Sequence, residues 1–232
     1  MARAESGVPV GGVIGDILPL ALGIMISPIP IIAAILMLLS PKAKGTSVGF
    51  LVGWVAGIVV ALTAFILLAS VIPQSGPDQS QPVAGVIKIV LGAGMLLLAV
   101  KQWRSRPHPG EEPALPSWMS AIDGMTAGKG LGLGFLLSAV NPKNLLMAAG
   151  AGVVVGSAQL ATGDLVIVVV VFTVIAAASV AVPVIGYLLA STSLTQPLES
   201  LRGWLVHNNA TVMAVLLLVI GVTLIGKGIG SF

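Results

Sequence analysis

Cysteine is missing from all 232 residues, which excludes disulfides, thiolate metal sites, covalent haem and thiol chemistry. Histidine occurs only as His108 and His207; each falls in a polar loop without a matching ligand set, so neither a metal nor another cofactor is expected. Charged residues are 8% of the chain, against about 25% in a soluble domain. The net charge of +3 is small and confined to loops, which argues against a nucleic-acid partner. Enzyme signatures are lacking as well: there is no nucleophile elbow, zinc-binding histidine pair or carboxylate pair placed to share a substrate, so no catalytic activity is expected. The glycine-rich run from Gly124 to Gly134 resembles a phosphate loop only superficially. Its Gly-Lys comes one residue early, Gly130 stands where Ser or Thr is needed, and no strand precedes it. Met1 to Asp16 has no basic region followed by a small-residue cleavage site, so the first apolar stretch is read as retained.

What remains is hydrophobic: 56% of residues, with a mean hydropathy of +1.09. Six apolar stretches are long enough to cross about 30 Å of hydrocarbon. They run from Ile14 to Leu39, Val48 to Ile72, Val83 to Val100, Gly128 to Gly156, Leu165 to Leu189 and Val206 to Ile225. The runs are about twice the length of barrel strands and do not alternate, which predicts an all-α integral membrane protein, a single membrane domain over 1–232. Lys42, Lys44, Lys101, Arg104, Arg106, Lys129 and Arg202 fall in the odd-numbered loops, and the even-numbered ones hold Asp78 and Asp164. The positive-inside rule therefore puts the odd loops in the cytoplasm and both termini outside. With three spans in each half, the halves are inverted: repeat one covers about 14–101, a cytoplasmic loop about 102–127, and repeat two about 128–232.

The pattern is organised around Ser138-Ala139-Val140-Asn141-Pro142-Lys143-Asn144, a polar interruption in an apolar stretch. Proline inside a helix removes a donor, and an ammonium at bilayer depth is costly unless answered. A helix that stops and restarts resolves both: Asn141 is a favoured N-cap and Pro142 suits the first helical position. Leu22 to Pro30 lines up with Leu133 to Pro142 with one residue inserted, so Ser27 and Pro28 are expected to cap and restart a helix in the first half. Two restarted helices would aim their donor-rich ends at a shared mid-membrane pocket. Ser27, Pro28, Pro30, Ser138, Asn141, Pro142, Lys143 and Asn144 are the candidate substrate-binding residues. Asp16 and Lys88, near the outer ends of the first and third spans, are candidates for proton coupling and for pairing with each other. Gly49, Gly53 and Gly57, and Ala148, Gly152 and Gly156, recur every fourth residue and read as close-packing faces. In the third loop, Trp118, Met119 and Ile122 have the spacing of a short helix lying at the headgroup level.

Ser117-Trp118-Met119-Ser120-Ala121-Ile122-Asp123, then Gly132-Leu133-Gly134 and Leu137 to Leu145, resembles the glycolipid-addressing protein family. That family includes the glycopeptidolipid- and sulfolipid-1-addressing proteins of actinobacteria and belongs to the lysine exporter superfamily. The resemblance implies a plasma-membrane protein with two three-helix repeats, each with a broken first helix, helping to move a cell-envelope lipid or glycolipid outward. The superfamily's other branches resemble proton-coupled exporters, which leaves export of an amino acid or other small solute as an alternative. A third reading is a non-transporting accessory subunit of an envelope-lipid biosynthesis complex, docking through its third loop. The expected partners are membrane lipids, a lipid or glycolipid substrate and envelope-lipid biosynthetic or export proteins; a homo-oligomer is compatible with the pattern.

Overall fold

Proline and glycine divide this chain more sharply than its hydrophobic runs suggest. A computed structural model describes residues 10–71, 81–107 and 117–232. Among them the chain makes seven α-helices, one 3-10 helix and no strand: α1 (Val10–Met25), α2 (Pro28–Leu38), α3 (Ala43–Ser70), α4 (Pro82–Arg104), a 3-10 helix (Ser117–Gly124), α5 (Ala127–Ala139), α6 (Pro142–Ser157) and α7 (Thr162–Ile229). α7 is bent at Ala190, whose φ of −148° and ψ of 57° are not helical. It therefore has a first arm, Thr162–Ala190, and a second, Leu194–Ile229.

Among the described residues, four segments are long and apolar enough to cross a membrane: α3, α4 and the two arms of α7. α1 and α2, bent by 51° at their break, make a fifth if counted together. Six spans are therefore not found as single helices. Gly128 to Gly156 is divided at the Asn-Pro step, as the sequence predicts, into α5, of 13 residues, and α6, of 16, each shorter than the roughly 20 residues a span requires. The expected loop around Arg202 is helical, lying inside the second arm of α7.

Small residues set the spacing. A Cβ built on Gly49, Gly53 or Gly57 of α3 would collide with Ala127, Leu131 or Ser138 of α5, and one on Gly130 or Gly134 would collide with the α3 backbone. α3 and α5 therefore interlock backbone to backbone, as the glycine periodicity predicts. Gly152 and Gly156 lie as tightly against Phe65, Ile66 and Ala69. Phe50 and Trp54, stacked with centroids 6.4 Å apart, fill the core beside this seam. Outward, Val52, Val60, Leu67 and Leu68 of α3, Val90 and Leu97 of α4 and Val170 and Val174 of α7 are exposed. Such a belt would be a liability in water and matches a hydrocarbon surround.

The short helix of the third loop is present as the 3-10 turn, but Met119 and Ile122 are buried in the main core. Its two apolar side chains thus pack into the protein rather than lying free on its surface. The side chain of Trp118 lies outside the described set. Thr126, two residues beyond this turn, caps α5 by accepting from the Lys129 backbone N–H at 3.4 Å.

Candidate functional site at the two helix breaks

The first break follows from Pro28, which has no N–H to offer the carbonyl of Ile24. Ile26 N–H still donates to Leu22 O at 2.8 Å, but Ser27 N–H turns to Met25 O at 2.9 Å. The carbonyl of Gly23, which a continuous helix would pair with Ser27, is freed as well. Ser27 stands at the N-cap of α2 in extended conformation, φ −109° and ψ 101°, with Pro28 next. Its hydroxyl makes no capping bond, which corrects the expectation that Ser27 caps: the backbone turn places the restart without it.

The second break is built as expected. Asn141, at φ −62° and ψ 121°, accepts from the Lys143 backbone N–H through Oδ1 at 3.1 Å, and Pro142 takes the first helical position. Asn144 reaches back across the break, its Nδ2 donating to Leu137 O at 3.0 Å, so one of the last carbonyls of α5 is answered by the next helix. Ser138 is spent within its own helix, donating to Gly134 O and Phe135 O at 3.0 Å, and it faces Gly57 of α3. Pro30 is buried in the first turn of α2.

Lys143 joins the two breaks. It is 4% exposed, and its Nζ donates to the freed Gly23 carbonyl at 2.7 Å, with Met213 Sδ at 4.0 Å. An ammonium at the carbonyl end of α1 meets the negative end of that helix dipole. Among the described residues no carboxylate pairs with it, so its charge is oriented by a carbonyl but not neutralised. Beside it lies a cavity of about 190 Å³. The walls bring together Ser27, Pro28, Asn141, Pro142 and Lys143 with Asn209 of the second α7 arm. Buried Oδ1 atoms of Asn144 and Asn209 have no hydrogen-bond partner. The first turn of α6, with N–H groups that lack partners inside the helix, adds positive potential. The Lys143 ammonium and the helix end suit an anionic group, and the unpartnered Asn209 Oδ1 in the cavity wall, an acceptor, suits a hydroxyl or amide donor on the same ligand.

Of the candidate residues, Ser27, Pro28, Asn141, Pro142 and Lys143 line the cavity, whereas Ser138, Asn144 and Pro30 do not. Asp16 and Lys88 lie elsewhere, and they are not each other's partner. The end of α7 comes beside α1, and Lys227 Nζ takes the Asp16 carboxylate at 2.6 Å. Lys88 instead donates to Ser231 Oγ at 3.2 Å. The sequence reading missed Gly23, Lys101, Gln102, Asn209 and Met213. Asn209 left a signal, because Asn208-Asn209 is a polar pair inside an apolar stretch. Gly23 contributes only a carbonyl, which no residue type advertises.

A family model described as "Sap, sulfolipid-1-addressing protein" matches residues 17–230. No curated protein and no solved structure matches the chain.

Proposed function

Since the chain belongs to the sulfolipid-1-addressing protein family, we propose that it is a plasma-membrane transporter that helps export an anionic or polar cell-envelope lipid or glycolipid. One observation carries the reading: a buried ammonium, Lys143, is held at the junction of two restarted helices by a carbonyl rather than a carboxylate, beside an open cavity. A lysine kept only for cohesion would be expected to find a counter-ion, and a charged residue at membrane depth without one is a functional site by default. The anionic head group enters the cavity beside Lys143, Asn141 and Asn209, and its acyl chains stay in the surrounding lipid. No catalytic step is part of the proposal.

The inverted two-repeat architecture belongs to the same reading. A Cβ on Gly85 would meet Gly228 O at 2.9 Å and one on Gly228 would meet Gly85 O at 2.8 Å. Gly92 and Gly221 reciprocate in the same way, at 2.7 and 3.0 Å. These contacts pack α4 closely against the second arm of α7; what supports inverted repeats is that each half breaks its first helix at the matching place, Ser27-Pro28 and Asn141-Pro142. The positive-inside pattern then orients the Lys143 cavity toward the cytoplasm, since Lys101 and Gln102 share its wall.

Cavity size favours one alternative. A volume of about 190 Å³ fits a head group or a small solute rather than a whole glycolipid, so proton-coupled export of an amino acid or similar solute is the second reading. Lipid analysis of a deletion strain, complemented by the wild-type gene or by Lys143→Ala at equal protein level, tests both. Loss of one envelope lipid from the outer layer, restored by wild type and not by Lys143→Ala, is the expected result. Full restoration by Lys143→Ala would overturn the transport reading and favour an accessory subunit. An unchanged lipid profile in the deletion strain would favour the small solute.

A further inference from the structure

A second cavity, of about 400 Å³, lies between α1, α4, α6 and the end of α7. Asp16, Gln81, Lys88, Ser157, Lys227 and Ser231 line it. On α1, Asp16 precedes Gly23 by about 10 Å of helix, and on α4 Lys88 stands about 20 Å from Lys101. The two cavities therefore sit at opposite depths. An apolar layer divides them: a Cβ on Gly150 would touch Leu20 and Leu224 at 3.4 Å, and one on Gly23 would strike Ile220 and Met147.

The charges in this second cavity do not balance. Lys227 is committed to Asp16, through Oδ1 at 2.6 Å and the backbone carbonyl at 3.2 Å. Among the described residues, Lys88, on the membrane-spanning helix α4, has one hydrogen-bond partner, the Ser231 hydroxyl at 3.2 Å. That hydroxyl gives its own proton to Lys227 O at 2.9 Å, so toward Lys88 it acts as acceptor only. Two ammonium groups share one carboxylate, which is bonded to Lys227 and attracts Lys88 from further off, so among the described residues lining the cavity positive charge exceeds negative by one. Desolvating an ammonium is costly without a counter-charge. The cavity has room for one, and the Gln81 side chain offers a further donor on its wall, whereas the Ser157 hydroxyl is spent on Val153 O and Val154 O.

We propose that this cavity is a second anion-binding site, taking a singly charged oxyanion, a sulfate monoester or a phosphodiester, with Lys88 as its principal cation and Asp16 as an internal competitor held on Lys227. The oxyanion is carried by a lipid head group or by a small soluble ester. As a station on an export path the site rests on the transport reading; as a binding site it does not. The apolar layer means that no continuous wet channel joins the two cavities.

The test uses the full chain in nanodiscs of zwitterionic lipid. The absence of native cysteine lets a thiol-reactive, polarity-sensitive dye be placed uniquely at Ala158→Cys on the cavity wall. Methyl sulfate and a short-chain sulfated glycolipid are titrated separately at constant ionic strength. Saturable signals are expected in the unsubstituted background. Lys88→Gln should weaken binding about tenfold, the loss of one charged hydrogen bond, and Lys88→Arg should retain it. Asp16→Asn should tighten binding, because Lys227 is released; a merely structural role for these residues would not move affinity in that direction. A response to the glycolipid alone identifies a head-group site, and a response to both identifies a general oxyanion site. Lys143→Ala should leave these curves unchanged, which separates this proposal from the transport reading. No saturable signal with either ligand, or equal affinity in Lys88→Gln and the unsubstituted background, would overturn it.

Discussion

Replacing Lys143 by methionine separates a lysine that holds the bundle together from one that serves a substrate. Methionine nearly matches the length of the aliphatic stem and removes the charge. The substitution leaves Gly23 O unpartnered, which costs about 1 to 3 kcal/mol for a buried acceptor. It also removes a buried ammonium, whose placement would cost about 2.5 to 3.5 kcal/mol on the insertion scale if it lay at mid-membrane. The two effects oppose each other and nearly cancel, so stability should change by no more than about 2 kcal/mol. In a chain of this size that is a Tm shift within about 8 °C. Thermal unfolding of the purified protein in detergent measures the shift, and lipid export by a complemented deletion strain measures function. The expected result is a near-normal Tm with export abolished. A Tm drop well beyond 8 °C, with export falling only in proportion to surviving protein, would refute the reasoning and make Lys143 a structural tie.

The two helix caps should behave differently. Asn141→Ala removes the bond to the Lys143 N–H and should cost about 1 kcal/mol in unfolding assays, with Asn141→Ser recovering most of it, whereas Ser27→Ala, which loses no capping bond, should stay within about 0.5 kcal/mol. Gly53→Ala drives a Cβ into the Leu131 carbonyl and should lower stability by about 1 to 3 kcal/mol. Gly132→Ala, with nothing within 4 Å of its Cβ, is the control and should be neutral or slightly stabilising, since helical alanine is favoured over glycine. Orientation is read by single cysteines: Gln159→Cys should react with a membrane-impermeant thiol reagent from outside intact cells, and Lys44→Cys only after permeabilisation. The reverse pattern would invert the assigned topology.

Much of this was legible before any coordinates. Asn141-Pro142 announced a cap and a first helical residue, and both are found in those roles because capping chemistry is local to a few residues. The glycine period on α3 announced a close-packed face, though not that α5 would be its partner. Ser27 was misjudged as a cap because a serine before proline has the right residue types, while the hydroxyl's direction depends on the turn around it. The pairing of Asp16 was misassigned for a different reason: two charges near the same membrane surface are equally plausible partners until the helices are placed.

The chain by itself determined the all-helical membrane character, the positions of both helix breaks and the presence of a lysine that needs an answer. Each of these follows from short-range chemistry: hydrophobic length, a missing proline N–H and the cost of an isolated charge. Tertiary structure alone decided what answers that lysine. The Gly23 carbonyl lies 120 positions away and is available only because the break at Ser27 frees it. The separation into two cavities was decided in the same way, because Leu20, Ile220 and Leu224 are ordinary apolar residues until packing stacks them into one layer.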